Sequence, residues 1–302
     1  MTECPRKQKL LQKVDGGLFS ATWWPSARID RADILSCLAL WLFIWDDEID
    51  AEIASLSQDF EAAQAFRRET IAWVKYCLKV SDETDNVPQP TNPIIAFFKT
   101  LADAAISVYD LEHRLVLFDE VEKFIQATGT EQAQRLSPFL PTVEDYATNR
   151  IHTSAVNIIC FFIEYGCDIM LPAEVLIDPD MRIIWNSTNR IVWAHNDLFS
   201  LKKEVAQDTV DSLVPLLFHE QGSLDRAVAA VIDITETAMA DLEASERALI
   251  AKHWGNLKLQ HDLQKYIDGC KYICTGNLAW SLQTKRYGIS DYVNSDCLRI
   301  RL

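Results

Sequence analysis

Apolar residues recur at three- and four-residue spacing along most of the chain, and alternation of period two is scarce. This pattern predicts amphipathic helices over about 30–55, 59–80, 94–128, 142–166, 178–205, 223–253 and 257–287. The boundaries carry start and stop chemistry. Thr142 is placed to cap a helix that opens with Glu144 and Asp145. Asp178-Pro179 puts proline at a first helical position, where its missing N–H costs nothing. Ser223 is a third cap candidate, and Pro138 and Pro141 interrupt the chain before Thr142. The stretch SDETDNVPQPTNP (Ser81–Pro93) reads as a loop, with three prolines among polar residues. The first twenty or so residues are polar and read as an arm. No internal repeat or low-complexity segment is present.

Composition strengthens the helical reading. The 302 residues are 49% hydrophobic and 24% charged, with only nine glycines, which disfavours all-β and doubly wound folds. One all-α bundle domain spanning residues 1–302 is expected. The formal net charge of −15 excludes nucleic acid and anionic lipid as natural partners. It also repels an anionic substrate, unless a bound metal inverts the local field. Eight cysteines occur without a CxxC pair. Cys37, Cys77, Cys160, Cys167, Cys270 and Cys274 fall in or beside apolar helical runs, as expected of buried reduced thiols. The N-terminal residues lack an apolar signal core, and no run reaches the roughly 18 apolar residues of a membrane span. A cytoplasmic protein without a membrane span is the expectation.

Candidate chemistry concentrates where the first long helix ends, in Asp46-Asp47-Glu48-Ile49-Asp50. On a helix Asp50 projects about 40° from Asp46, and Asp47 about 60° from Asp50. Three carboxylates thus share one face within a turn. Their hard oxygens suit Mg²⁺, and no His or Cys in the cluster suggests zinc. Acidic residues at a helix C-terminus also oppose the macrodipole, so a counter-cation is expected. Phe43 falls about 60° from Asp46, on the carboxylate side, whereas Trp41 and Trp45 point the other way and read as core.

A second polar stripe lies in NDLFSLKKE. Asn196, Ser200 and Glu204 stand at i, i+4 and i+8, within about 80° of arc and over about 12 Å. They offer an amide, a hydroxyl and a carboxylate oxygen. Lys203 lies just outside the stripe, within reach of a bound phosphate.

The pair of stripes resembles the two metal motifs of microbial class I terpene cyclases, fungal sesquiterpene synthases in particular. DDEID (Asp46–Asp50) resembles their aspartate-rich motif, and Asn196, Ser200 and Glu204 their Asn/Ser/Glu triad. Arg286-Tyr287 resembles their C-terminal Arg-Tyr pair. Arg150 stands 46 residues before Asn196, where the family carries a diphosphate-sensing arginine. Thr153 then corresponds to the family's linker and Ser154 to its effector, although the family often has Asp and Gly there. The resemblance runs from about residue 20 to 290.

It implies a helical bundle with a central cavity, and three Mg²⁺ held by Asp46, Asp47, Asp50, Asn196, Ser200 and Glu204. Arg150, Lys203, Arg286 and Tyr287 would bind the diphosphate. Phe43 and Trp280 would line a cavity for the carbocation, with Trp193 a further candidate and Phe161 core. The implied reaction ionises farnesyl diphosphate and closes the cation to a sesquiterpene, releasing diphosphate, in a monomer or homodimer. Geranylgeranyl diphosphate is the alternative substrate. A chain-elongating prenyl diphosphate synthase would need a second aspartate-rich motif, but Asp46-Asp47 is the sole Asp-Asp dipeptide. A non-catalytic acidic helical scaffold would account for the composition and for none of the motifs.

Overall fold

The computed structural model describes residues 12–50, 56–81, 87–206 and 210–289, and among these it is helical with no strand. The chain runs α1 (Gly16–Trp23), a 3₁₀ turn (Ile29–Arg31), α2 (Ala32–Asp50), α3 (Phe60–Leu78), α4 (Pro93–Ile106) and α5 (Leu111–Arg135). It continues through α6 (Val143–Thr153), α7 (Val156–Phe161), α8 (Ile163–Cys167) and α9 (Ala173–Leu176). The last four are α10 (Pro179–Val205), α11 (Leu213–Gln221), α12 (Leu224–Lys252) and α13 (Leu257–Gln283).

Helix starts follow side-chain chemistry. Asp59, Asn92, Asp110, Thr142, Asp178, Ser223 and Asn256 each accept a backbone N–H from the first turn that follows, satisfying a donor that the helix leaves free. Pro93 and Pro179 occupy first-turn positions.

The largest core draws on α1 through α5, α7 through α10, α12 and α13. Leu35, Leu38 and Ile49 of α2 are buried in it, each worth roughly 1.5–3 kcal/mol relative to exposure. A smaller cluster joins α6, α10, α11 and α12 through Tyr146, Trp193, Leu213, Leu217 and Val231. α10 packs most extensively on α12 and next on α13, so the helix carrying Asn196 is braced from behind. Buried Arg67 of α3 donates to Thr128 Oγ1, Thr128 O and Gln132 Oε1, pinning α3 to α5.

The observed helices differ from the expected ones in several places. The helix expected over 94–128 is two, broken at Ser107 and restarted by Asp110, and the second extends to Arg135. The helix expected over 142–166 breaks at Ala155, whose φ of 58° lies in the left-handed region. α9 and α11 lie in segments where no helix is expected from the pattern. The described part of the polar arm is no arm: α1 packs on α2 and α13, and Val14, Phe19 and Trp23 are buried. Leucine and aromatics at intervals among polar residues sufficed to bury that segment.

Residues 51–55 of the first expected helix, 82–86 of the proline-rich loop, and Cys4 and Cys297 lie outside the described residues. The other six cysteines carry free thiols. Among the described residues no helix is long and apolar enough to cross a membrane.

Candidate active site

The C-terminal end of α2, α6, the C-terminal half of α10 and the end of α13 border one cavity of about 370 Å³. All the candidate residues line it: Phe43, Asp46, Asp47, Asp50, Arg150, Thr153, Ser154, Asn196, Ser200, Lys203, Glu204, Trp280, Arg286 and Tyr287. Trp193 lines it as well. Trp41, Trp45 and Phe161 do not. They are fully buried in the core, where Trp41 Nε1 donates to Ile94 O and Trp45 Nε1 to Thr70 Oγ1.

One end of the cavity is polar. Asp47 Oδ1 accepts from Arg286 Nη2 at 3.5 Å, and Asp50 Oδ1 from Arg135 Nη1 at 2.7 Å. Burial, reinforced by Asp50, Glu131 and Asp47, holds the Asp46 carboxyl well above the usual carboxylate range. Glu131 is pushed up to about 7 by burial and by Asp50, and its Oε1 accepts from Thr153 Oγ1 at 3.3 Å.

From α6, Arg150 Nη2 donates to Asn196 Oδ1 (3.1 Å) and Asp197 Oδ1 (3.0 Å) of α10. Asn196 Nδ2 donates to the Tyr287 hydroxyl at 2.5 Å. Ser200 Oγ donates to Glu204 Oε1 at 2.5 Å, and Ser212 Oγ to Glu204 Oε2 at 2.6 Å. Burial raises the Glu204 pKa, Asp197 adding to the effect, and burial with Arg286 nearby lowers that of Lys203. Arg150 Nε is buried with no hydrogen-bond partner. Cations and acceptors here occupy one another, and one guanidinium N–H, that of Arg150 Nε, has no partner.

The other end is aromatic. Phe19 lies flat on Trp23 (centroids 4.2 Å apart) and edge-on to Phe43 (5.7 Å) and Trp280 (5.2 Å). Trp280 meets Tyr287 edge-on at 5.6 Å, and the Arg286 guanidinium sits 4.9 Å above the Phe43 ring. The cavity thus grades from paired charges to stacked π faces.

Sequence reasoning missed Phe19, Trp23, Glu131, Arg135, Tyr146 and Asp197, which also line the cavity. Signals existed for some. Tyr146 precedes Arg150 by one helical turn, and its hydroxyl donates to buried Asp197 at 2.5 Å. Glu131 and Arg135 are likewise one turn apart on α5. Phe19 was hidden in the segment read as an arm, and Trp23 lies just beyond it.

Residues 37–241 match the family model described as terpene synthase family 2, C-terminal metal binding. The chain is 32% identical to sesquiterpene cyclase hepA of Aspergillus oryzae, across 96% of this chain and 80% of that protein. It is 27% identical to terpene cyclase braA of Annulohypoxylon truncatum, across 96% and 77%. The protein belongs to terpene synthase family 2, and its function is that of a terpene synthase. Two solved structures share the fold. Alpha-eudesmol synthase superposes with a TM-score of 0.77 at 17% identity, covering 93% of this chain and 89% of that one. Linalool/nerolidol synthase from Streptomyces clavuligerus, in complex with 2-fluorogeranyl diphosphate, gives 0.76 at 18% identity, covering 93% and 91%.

The donor set fits a hard divalent cation. Asp46, Asp47, Asp50, Asn196, Ser200 and Glu204 can present oxygen ligands, and a cation would offset the burial and the neighbouring carboxylates that disfavour Asp46 ionisation. Among the described residues no three His, Cys, Asp or Glu side chains stand grouped so as to hold a metal ion by themselves.

Proposed function

We propose that the protein is a magnesium-dependent sesquiterpene cyclase. It would ionise farnesyl diphosphate, close the carbocation into a ring and release diphosphate. One observation carries this reading: a single cavity joins an all-oxygen set on two helices, an orphaned guanidinium and a wall of π faces. The similarity to a protein named sesquiterpene cyclase supports the fifteen-carbon substrate.

Asp46, Asp47 and Asp50 on one helix, and Asn196, Ser200 and Glu204 on the other, would hold Mg²⁺. When bound, magnesium supplies Lewis-acid neutralisation of the leaving diphosphate. Arg150, Lys203, Arg286 and the Tyr287 hydroxyl would donate hydrogen bonds to the diphosphate oxygens, charge-assisted for the three cations. The allylic C–O bond breaks heterolytically and its electron pair leaves with the diphosphate. A π bond of the same chain then attacks the cationic carbon, and proton loss or water capture ends the cascade. Phe19, Phe43 and Trp280 would face the passing cation, while burial keeps bulk water from quenching it early. Residues 1–302 would act as one catalytic domain, with α1 part of its wall.

The deciding test is incubation with farnesyl and geranylgeranyl diphosphate in turn, with Mg²⁺, and mass spectrometry of the volatiles. Cyclic C15 products from the former are expected, abolished by excess EDTA. Asn196→Ala or Glu204→Gln should lower turnover by orders of magnitude with the fold intact. Full activity in EDTA, or products only from the C20 substrate, would overturn the reading.

A further inference from the structure

The break between α6 and α7 is held from outside the cavity by a line of buried polar side chains. Ala155 there has φ 58° and ψ 10°, a conformation that residues with a Cβ adopt only at a cost. Because the helix breaks, Ala155 N–H bonds His152 O at 3.2 Å, and Ile151 O loses its helical partner. Asn189 of α10 replaces that partner. Its Nδ2 donates to Ile151 O at 2.7 Å, and its Oδ1 accepts from Ser154 Oγ at 2.6 Å. The line continues away from the cavity. Asn189 Nδ2 also donates to Asn157 Oδ1 (3.0 Å), and Asn157 Nδ2 to Glu120 Oε2 (3.0 Å). Glu120 Oε1 accepts from Arg182 Nη2 at 2.5 Å. Asn189, Asn157 and Glu120 are all buried, and they come from three helices.

From Ser154 to Glu120 each bond points the same way, hydroxyl to amide to amide to carboxylate, and Arg182 donates to that carboxylate from the far side. Such a chain polarises its members, and each buried amide has an acceptor for its N–H and a donor for its oxygen. Three buried polar side chains would be costly as mere filler, and an apolar core is the cheaper alternative. What the line fixes is the segment Thr153–Val156, whose residues all face the cavity, one turn beyond Arg150.

We propose that Asn189, backed by Asn157 and Glu120, is a positioning residue. It holds the left-handed break at Ala155 so that Ser154 and its neighbours meet the reacting substrate in fixed register. It touches no substrate itself and acts through Ser154 and Ile151. The kinetic part of this inference rests on the cyclase reading above.

Asn189→Asp tests it with almost no change in shape. The variant keeps the acceptor for Ser154 but loses both N–H donors, and sets a carboxylate against two acceptors. Loss of register should lower kcat by about 10- to 100-fold. KM for farnesyl diphosphate should stay within about threefold, since uniform binding is untouched. Early-quenched acyclic products should rise. Glu120→Gln, a milder break at the far end, should move kcat in the same direction and covers the case in which Asn189→Asp does not fold.

Rescue separates positioning from bulk stability. Glycine adopts positive φ without penalty, so Ala155→Gly added to either variant should recover most of the lost kcat without restoring Tm. Hydrogen exchange over residues 154–159 should quicken in Asn189→Asp, an arm that needs no turnover. Unchanged kcat in both variants, or a kcat loss that only follows the folded fraction and is not rescued, would overturn the proposal, as would unchanged exchange. A parent without turnover on any prenyl diphosphate would count against the cyclase reading, and the exchange arm would still decide whether the line holds the break.

Discussion

Phe43 lines the cavity beneath Arg286, whereas Trp45, two positions on, is fully buried and gives its Nε1–H to Thr70. A ring beside a passing cation contributes about 0.5–2 kcal/mol, and each 1.4 kcal/mol or so between competing routes shifts their ratio tenfold. Phe43→Ala and Trp280→Ala should therefore alter the product mixture, adding acyclic or monocyclic hydrocarbons. Trp45→Ala should instead destabilise the fold by about 3–5 kcal/mol and keep the parental products. Product profiles and melting curves of the three variants decide the matter: a changed profile from Trp45→Ala alone would put the cavity on the other side of α2. That sidedness was legible from the sequence, because 100° per residue fixes which positions share a face with Asp46. The same rule brought Asn196, Ser200 and Glu204 to one stripe, with Lys203 just beside it. It could not reach Glu131 or Asp197, whose importance comes from Arg150 and Thr153 on another helix. Helical projection sees one element at a time.

At the level of elements, helix starts were legible where a capping side chain met a proline or an acidic first turn, as at Thr142, Asp178 and Ser223. The breaks at Ser107 and Ala155 were not, since neither carries glycine or proline and both interrupt apolar runs. The largest misreading concerned α1. Its position depends on Gly276 of α13, where an added Cβ would lie 2.2 Å from Thr22 O and 2.9 Å from Trp23 Cα. Both are backbone atoms and cannot swing aside. Trp280 Nε1 donating to Val14 O at 2.8 Å, and Thr284 Oγ1 to Lys13 O at 2.8 Å, tie the same two segments. Gly276→Ala should gain helix propensity of about 1 kcal/mol and lose more by overpacking, for a net drop of roughly 1–2 kcal/mol. As α1 shifts it carries Phe19 and Trp23 from the cavity wall, so early-quenched products should appear as well. A melting temperature at or above the parent's, with the same products, would show that α1 does not form that wall.

Two properties belong to the whole molecule, and the first is stability against pH. Glu164 is fully buried; its Oε1 accepts from Leu171 N at 2.6 Å and its Oε2 has no partner. Burial pushes its pKa up to about 7, against 4.5 ordinarily. The folded state then holds a proton between those values that the unfolded chain has released, so stability falls as pH rises from about 4.5 to 7, by roughly 3 kcal/mol in all. Glu164→Gln should flatten that part of the melting curve, and parallel curves for variant and parent would refute the assignment.

The second property is how a chain of net charge −15 accepts a polyanion. Without ligand, Arg286 pairs with Asp47, and Arg150 with Asn196 and Asp197. A diphosphate that draws Arg286 and Arg150 away strips Asp47 and Asp197 of their ion pairs and Asn196 Oδ1 of its donor. A divalent cation alone leaves the guanidinium groups uncompensated. Arriving together, each offsets groups that the other strands, which makes their binding mutually favourable. Coupling of this kind is typically worth 1–3 kcal/mol, or about 5- to 150-fold in affinity, and it is reciprocal. Calorimetric titration of the protein with pyrophosphate should accordingly show affinity at least about fivefold higher with Mg²⁺ than without. Glu204→Gln, which removes one charge from the oxygen set and leaves the anion donors in place, should shrink that ratio. Equal pyrophosphate affinity with and without Mg²⁺ would mean that the cations and the diphosphate do not share the exchange of partners described here.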